Sequence, residues 1–102
     1  RALVTNHSLL TLRLADVQLD SVGALCIGDA LLYNSSLTHL YLGENNISAE
    51  GIASIATSLI KNPKLPLSSL FLGTNPFGAR GAFFLADALK VSTSLTHLDI
   101  AD

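Results

Sequence analysis

Leucine returns along this chain in a pattern that changes period twice in every copy. One copy reads Leu37, Leu40, Leu42, Asn45 and Ile47, and the next reads Leu67, Leu70, Leu72, Asn75 and Phe77. An earlier copy has Leu9, Leu12, Leu14, Val17 and Leu19, and a shorter last one has Leu95, Leu98 and Ile100. Within a copy the apolar and outward positions alternate: Leu40 and Leu42 point one way, His39, Tyr41 and Gly43 the other, as in a half-buried strand. Strands are predicted near 10–14, 38–42, 68–72 and 96–100.

Between these segments the period lengthens to that of a helix. Gly23, Gly51 and Gly81 each open a stretch with apolar or small residues at i, i+3, i+4 and i+7: Ala24/Ile27/Gly28/Leu31, Ile52/Ile55/Ala56/Leu59 and Ala82/Leu85/Ala86/Leu89. That spacing buries one helical face and predicts helices near 21–33, 49–61 and 79–91. One strand and one helix, repeated about every 29 residues, define a solenoid.

The phrases Asn34-Ser35-Ser36-Leu37-Thr38-His39-Leu40-Tyr41-Leu42 and Gly81-Ala82-Phe83-Phe84-Leu85-Ala86-Asp87-Ala88-Leu89 resemble leucine-rich repeat proteins of the ribonuclease-inhibitor-like class, whose spacer is long and helical. The resemblance covers essentially the whole chain. It implies an α/β fold, a curved solenoid with a concave parallel β-sheet and helices on the convex side, over residues 1–102 as a single segment of about three and a half repeats, truncated at both ends. Biological role does not follow from it, because the class is similar in inhibitors, immune sensors, GTPase activators and cytoskeletal components.

Physics gives the same shape. Parallel strands stack about 4.8 Å apart, whereas helices side by side need about 10 Å, so the sheet takes the inside of the curve. Leu12, Leu14, Leu40, Leu42, Leu70, Leu72, Leu98 and Ile100 form the expected buried ladder, and Leu19, Ile47 and Phe77 close the floor. Gly28, Ala56 and Ala86 share a small-residue column, read as a close approach of helix to sheet. Asn45 and Asn75 can satisfy backbone groups freed where the chain leaves a strand; Val17 breaks that ladder and predicts a less regular first repeat.

Strand starts at 9, 37, 67 and 95 give intervals of 28, 30 and 28 residues. The two extra residues fall in Pro63-Lys64-Leu65-Pro66, where proline withholds backbone donors, and a bulged loop at the strand entrance is expected. The ends read as interrupted repeats. Leu3 is the counterpart of Leu31, and Asp102 stops short of the next Asn, so apolar faces are expected at both ends.

Composition narrows the setting. With 49% hydrophobic and 14% charged residues the chain can bury a core, yet no apolar run reaches the roughly 18 residues of a membrane span. Cys26 is the single cysteine; no disulfide can form within the chain, and a cytoplasmic location is favoured. Three Asn-x-Ser sequons, at Asn6, Asn34 and Asn46, are read as products of the repeat, in which Asn and Ser bond turn backbone. The formal net charge of -2, without a basic stripe, argues against nucleic acid.

The outward strand positions line up in columns: Thr11, His39, Ser69, His97; then Arg13, Tyr41, Phe71, Asp99; then Ala15, Gly43, Gly73, Ala101; then Asp16, Glu44, Thr74, Asp102. Tyr and Phe flanked by Arg and Asp have the composition of interface anchors. Arg13, His39, Tyr41, Glu44, Phe71, His97 and Asp99 are therefore the expected protein-binding residues, and the partner expected is a protein with a basic patch, besides neighbouring repeats. His39 and His97 lack further metal ligands, and a Ser69/His/Asp99 triad lacks an oxyanion hole; no catalytic residue, cofactor or metal is called for. The runner-up function is a GTPase regulator resembling the Ran GTPase-activating protein. On the helical side Leu25, Leu32, Ile60 and Phe83 occupy positions that this repeat class turns outward, and a possible convex interface is expected there.

Overall fold

A computed structural model describes residues 9–101; Leu3, Asn6 and Asp102, all used in the sequence reading, lie outside them. In chain order the elements are β1 (Thr11–Arg13), α1 (Ser21–Leu31), β2 (His39–Tyr41), α2 (Ala49–Lys61), β3 (Ser69–Phe71), α3 (Gly78–Val91) and β4 (His97–Asp99). The strands form one sheet in the order β1-β2-β3-β4, every pair parallel. Helices pack consecutively, α1 on α2 and α2 on α3. With the helices stacked behind closely spaced strands, the sheet is the inner face of the curve.

Each strand is shorter than its leucine pattern predicts, for two reasons. At the entrance, consecutive N–H groups converge on one carbonyl: Thr38 and His39 both donate to Leu10 O at 2.8 and 3.0 Å, and Ser68 and Ser69 both donate to Thr38 O at 2.8 and 3.1 Å. At the exit, Asp16, Glu44 and Thr74 adopt φ of 54°, 57° and 58° and turn the chain away. Cross-strand bonding still reaches that turn, with Glu44 N donating to Gly73 O at 2.8 Å.

Leu37, Leu40, Leu42, Leu67, Leu70 and Leu72 are fully buried between sheet and helices, with Leu31, Ile47, Ile52 and Ile55. Each such side chain contributes about 1.5–3 kcal/mol by leaving water. The ladder weakens outward: Leu12, Leu14 and Leu98 are half-buried, and Ile100 is 40% exposed.

The small-residue column has a different cause from the one its sequence suggested. A Cβ on Gly28 would come within 2.8 Å of the Ser54 backbone carbonyl carbon, on α2 rather than on the sheet. Ser58 Oγ donates a short hydrogen bond to Gly28 O at the same place. The column marks helix against helix, and Ala86, with no following helix beside it among the described residues, is exposed.

The asparagine ladder binds each repeat to the one before. Asn45 Oδ1 accepts from Val17 N at 3.1 Å and Leu19 N at 3.0 Å, while Nδ2 donates to Leu14 O at 2.8 Å and Leu42 O at 3.0 Å. Asn75 accepts from Ile47 N at 3.0 Å and donates to Leu42 O and Leu72 O, each at 2.9 Å. Groups that Val17 cannot serve are thus taken up by Asn45. The first repeat is nevertheless irregular, since Gln18 takes φ 59°.

Asn34 is fully buried and its Oδ1 accepts from Ser36 N at 3.0 Å and Leu37 N at 2.8 Å, the turn role expected of that sequon. The inserted segment is more than a bulge. Leu65 is buried in the core, and Ser94 Oγ donates to Leu67 O at 2.8 Å and Leu65 O at 3.3 Å.

Candidate protein-binding face

Parallel pairing places Arg13 opposite Tyr41, Tyr41 opposite Phe71 and Phe71 opposite Asp99, so four residues far apart in sequence form one row across the sheet. The row is stacked as well as aligned. The Arg13 guanidinium carbon lies 4.0 Å from the Tyr41 ring centroid, and the Tyr41 and Phe71 rings are 4.5 Å apart with an interplanar angle of 1°. His39 lies 6.4 Å from Tyr41 at 15°. Tyr41 and Phe71 remain half-exposed, Arg13 and Asp99 exposed. Rings held by cross-strand stacking lose little freedom when a partner covers them, which is what an interface anchor requires.

The flanking columns differ from one another. Thr38 Oγ1 lies 3.0 Å from Leu10 O and shares a hydrogen bond with His39 Nδ1 at 2.8 Å, its direction following the ring tautomer. Thr96 Oγ1 likewise lies 3.2 Å from Ser68 O and 3.0 Å from His97 Nδ1. The Thr-His pair recurs two repeats apart in the sequence, a signal the column reading passed over. Ser69, between the two histidines, is buried. Among the described residues no group of three or more His, Cys, Asp or Glu could hold a metal ion.

Gly43 and Gly73 are small because backbone lies against them: a Cβ on Gly43 would stand 3.1 Å from Gly73 O. Glu44 is exposed beside them in the left-handed turn, with Asp16 in the same position one repeat earlier. A non-glycine residue there costs about 1–2 kcal/mol.

Three of the four helical-side residues are exposed. Leu25, 46% exposed, shares a groove with Val22, Cys26, Asp29 and Ser54. Leu32 is half-buried at the end of α1. Ile60, 45% exposed, borders a cavity of about 140 Å³ with Leu65 and Val91 beneath the inserted loop. Phe83, 66% exposed, meets Phe84 edge-on at 6.4 Å and adjoins the α3 face carrying Ala79 and Ala86.

Acidic groups on the helices are partly paired. Glu50 lies 3.2 Å from Arg80 and Lys90 lies 3.6 Å from Asp87. A backbone hydrogen bond, the Ser48 hydroxyl and Arg80 together hold the Glu50 carboxyl below its ordinary 4.5. No helix among the described residues is long and apolar enough to cross a membrane.

The stacked parallel strands, the leucine ladder and the asparagine bridges define a repeat protein of the α/β kind. A family described as Leucine Rich repeat matches residues 33–56, and the chain belongs to the leucine-rich repeat proteins. It is 34% identical over 98 residues to NACHT, LRR and PYD domains-containing protein 5 of Homo sapiens, covering 96% of this chain and 8% of that protein. It is 35% identical over 94 residues to NACHT, LRR and PYD domains-containing protein 14 of Mus musculus, covering 92% of this chain and 9% of that one. The chain thus spans under a tenth of the length of these relatives. Among solved structures, Leiomodin-1 Actin-Binding Site 2 superposes with a TM-score of 0.89 at 28% identity, over 99% of this chain and 58% of that one. A protein-interaction role fits this family and this likeness.

Proposed function

We propose that the chain is a non-catalytic interaction module that holds a protein partner against its concave strand face. The observation carrying the proposal is the half-exposed Arg13, Tyr41 and Phe71 stack, ordered without being buried. His39 and His97 supply imidazoles on one side of the row and Glu44 a charge on the other; Asp99 ends it. Asp16, Glu44 and Asp99 outnumber Arg13 on this face, which favours a partner with a basic patch. That the similarly folded leiomodin segment is named for actin binding supports a protein partner over a small molecule. Nothing in the arrangement of the described residues favours the GTPase-regulator alternative.

The same reading takes the chain as one ribonuclease-inhibitor-like segment of a longer cytoplasmic solenoid. Leu25, Leu32, Ile60 and Phe83 enter it as apolar contacts on the helical side, within or just after three successive helices. Photo-crosslinking tests the choice of face. With benzoylphenylalanine at Thr11, a partner is expected to be captured, and to be lost when Tyr41 and Phe71 are replaced by Ala. Equal capture from Thr57 on the helical side, indifferent to Tyr41 and Phe71, would overturn the concave-face reading.

A further inference from the structure

We propose that the outer face of Phe71 and the Asp99 carboxylate form a seat for an arginine side chain of the partner, a finer statement that rests on the concave-face reading. Tyr41 covers one face of the Phe71 ring at 4.5 Å. The other face turns toward β4, where the residue in register is Asp99. Phe71 and residues 96–101 line a shallow depression open to solvent.

Electrostatics selects the occupant. An aromatic ring presents negative potential at its face, and the next strand, its backbone about 4.8 Å away by sheet geometry, carries a carboxylate at the register position. These two groups repel each other and attract the same thing, a cation lying flat on the ring. Asp99 Oδ1 accepts from Ala101 N at 3.0 Å, which steadies the carboxylate. Among the described residues no ion pair includes Asp99, while Arg80 is paired with Glu50 and Lys90 with Asp87 on the helical side.

The row already shows the arrangement at its other end, where Arg13 lies 4.0 Å over Tyr41. Arginine is preferred to lysine because a planar guanidinium stacks on a ring while its edge donates to a carboxylate. An incoming arginine would extend the order to guanidinium, Tyr41, Phe71, guanidinium, closed by Asp99.

The test is an NMR titration of the chain with acetyl-Gly-Arg-Gly-amide and its citrulline counterpart, planar but neutral. The arginine peptide is expected to shift the Phe71 ring protons and the Asp99 and Ala101 amides saturably. Citrulline should bind about tenfold more weakly, and Asp99→Asn should weaken the arginine peptide about tenfold, the loss of one charge-assisted contact. Asp87→Asn, an acid on the helical side, should leave binding unchanged. Equal affinity for the two peptides, no saturable shift, or indifference to Asp99→Asn would overturn the seat. A partner captured through Tyr41 and Phe71 but unaffected by Asp99→Asn would overturn the arginine seat and leave the concave-face reading standing. A full peptide titration without concave capture would do the reverse.

Discussion

The repeat built on β2 and α2 and the one built on α3 and β4 carry the same apolar pattern, yet they live in different surroundings. Leu59 in α2 is 6% exposed, whereas its counterpart Leu89 in α3 is 43% exposed. Leu42 and Leu72 are fully buried while Ile100, at the same position, is not. Ala56 is buried and Ala86 exposed. In a solenoid the repeat assigns a side chain its direction, and the neighbour supplies the burial. An identical residue therefore has a different energetic weight according to how many neighbours its repeat has.

The sharpest way to break this contrast is a pair of leucine truncations. Leu70→Ala, in the centre, is expected to cost about 4 kcal/mol, within the range for buried leucines, against about 1 kcal/mol for Leu89→Ala, whose side chain is partly in water in both states. Denaturant unfolding measures both, and equal losses would show that the α3 face is covered in solution.

The asparagines come next. Asn45 accepts two backbone N–H groups from the preceding repeat and Asn75 one. Asn45→Ala should cost about 3 kcal/mol and Asn75→Ala about 2 kcal/mol, since each orphaned group adds about 1 kcal/mol. The reverse order, measured in the same way, would show that the irregular first repeat is already frayed.

How much of this was legible in the sequence follows from which residues repeat. Leu40, Leu70 and Leu98 recur in phase, so the strands, their parallel order and the Arg13, Tyr41, Phe71, Asp99 row could be read directly. Gly28 recurs with Ala56 and Ala86, but spacing alone does not say whether the small side chain meets the sheet or the next helix; only the Ser54 contact decides it. Counted from the preceding helix, Leu65 falls where Leu37 and Leu95 do, yet it lies in the insertion, and spacing alone does not say that both it and Leu67 are buried. The stacking of Arg13 on Tyr41 is invisible to a column reading, which records neighbours but not ring angles. Strand length was overestimated because leucines continue into turns where the backbone no longer pairs regularly.

A smaller effect distinguishes the strand exits. Thr74 sits at φ 58°, where a β-branched side chain is strained. Thr74→Gly should raise stability by about 0.5–1 kcal/mol, the relieved strain exceeding glycine's greater freedom when unfolded. Thermal unfolding checks it, and a loss would mean that the Thr74 side chain makes a contact worth more than its strain.

The weakest effect is the exposed Glu50 link between α2 and α3. Its carboxyl is held below 4.5, so its contribution is present in full above that pH and fades as pH falls through the lower folded value. Thermal midpoints of the chain and of Glu50→Gln should differ slightly at pH 7 and converge once the pH falls below the lowered folded value, because both then carry a neutral side chain. A difference that persists in acid would point to packing in place of charge.

The asparagine bridges also give the stack a direction in time. Asn45 completes the turn of the repeat before it, binding Leu14 O, Val17 N and Leu19 N. A chain emerging from the ribosome makes each turn before the asparagine that closes it. The newest repeat is thus always the one with an unfinished strand exit, and each further 28 to 30 residues seal it. Growth from the amino end locks what came earlier, while loss of material from the carboxyl end strips these strand-exit donors bare; loss from the amino end instead bares strand-entrance donors such as Thr38 N and His39 N, which bond Leu10 O.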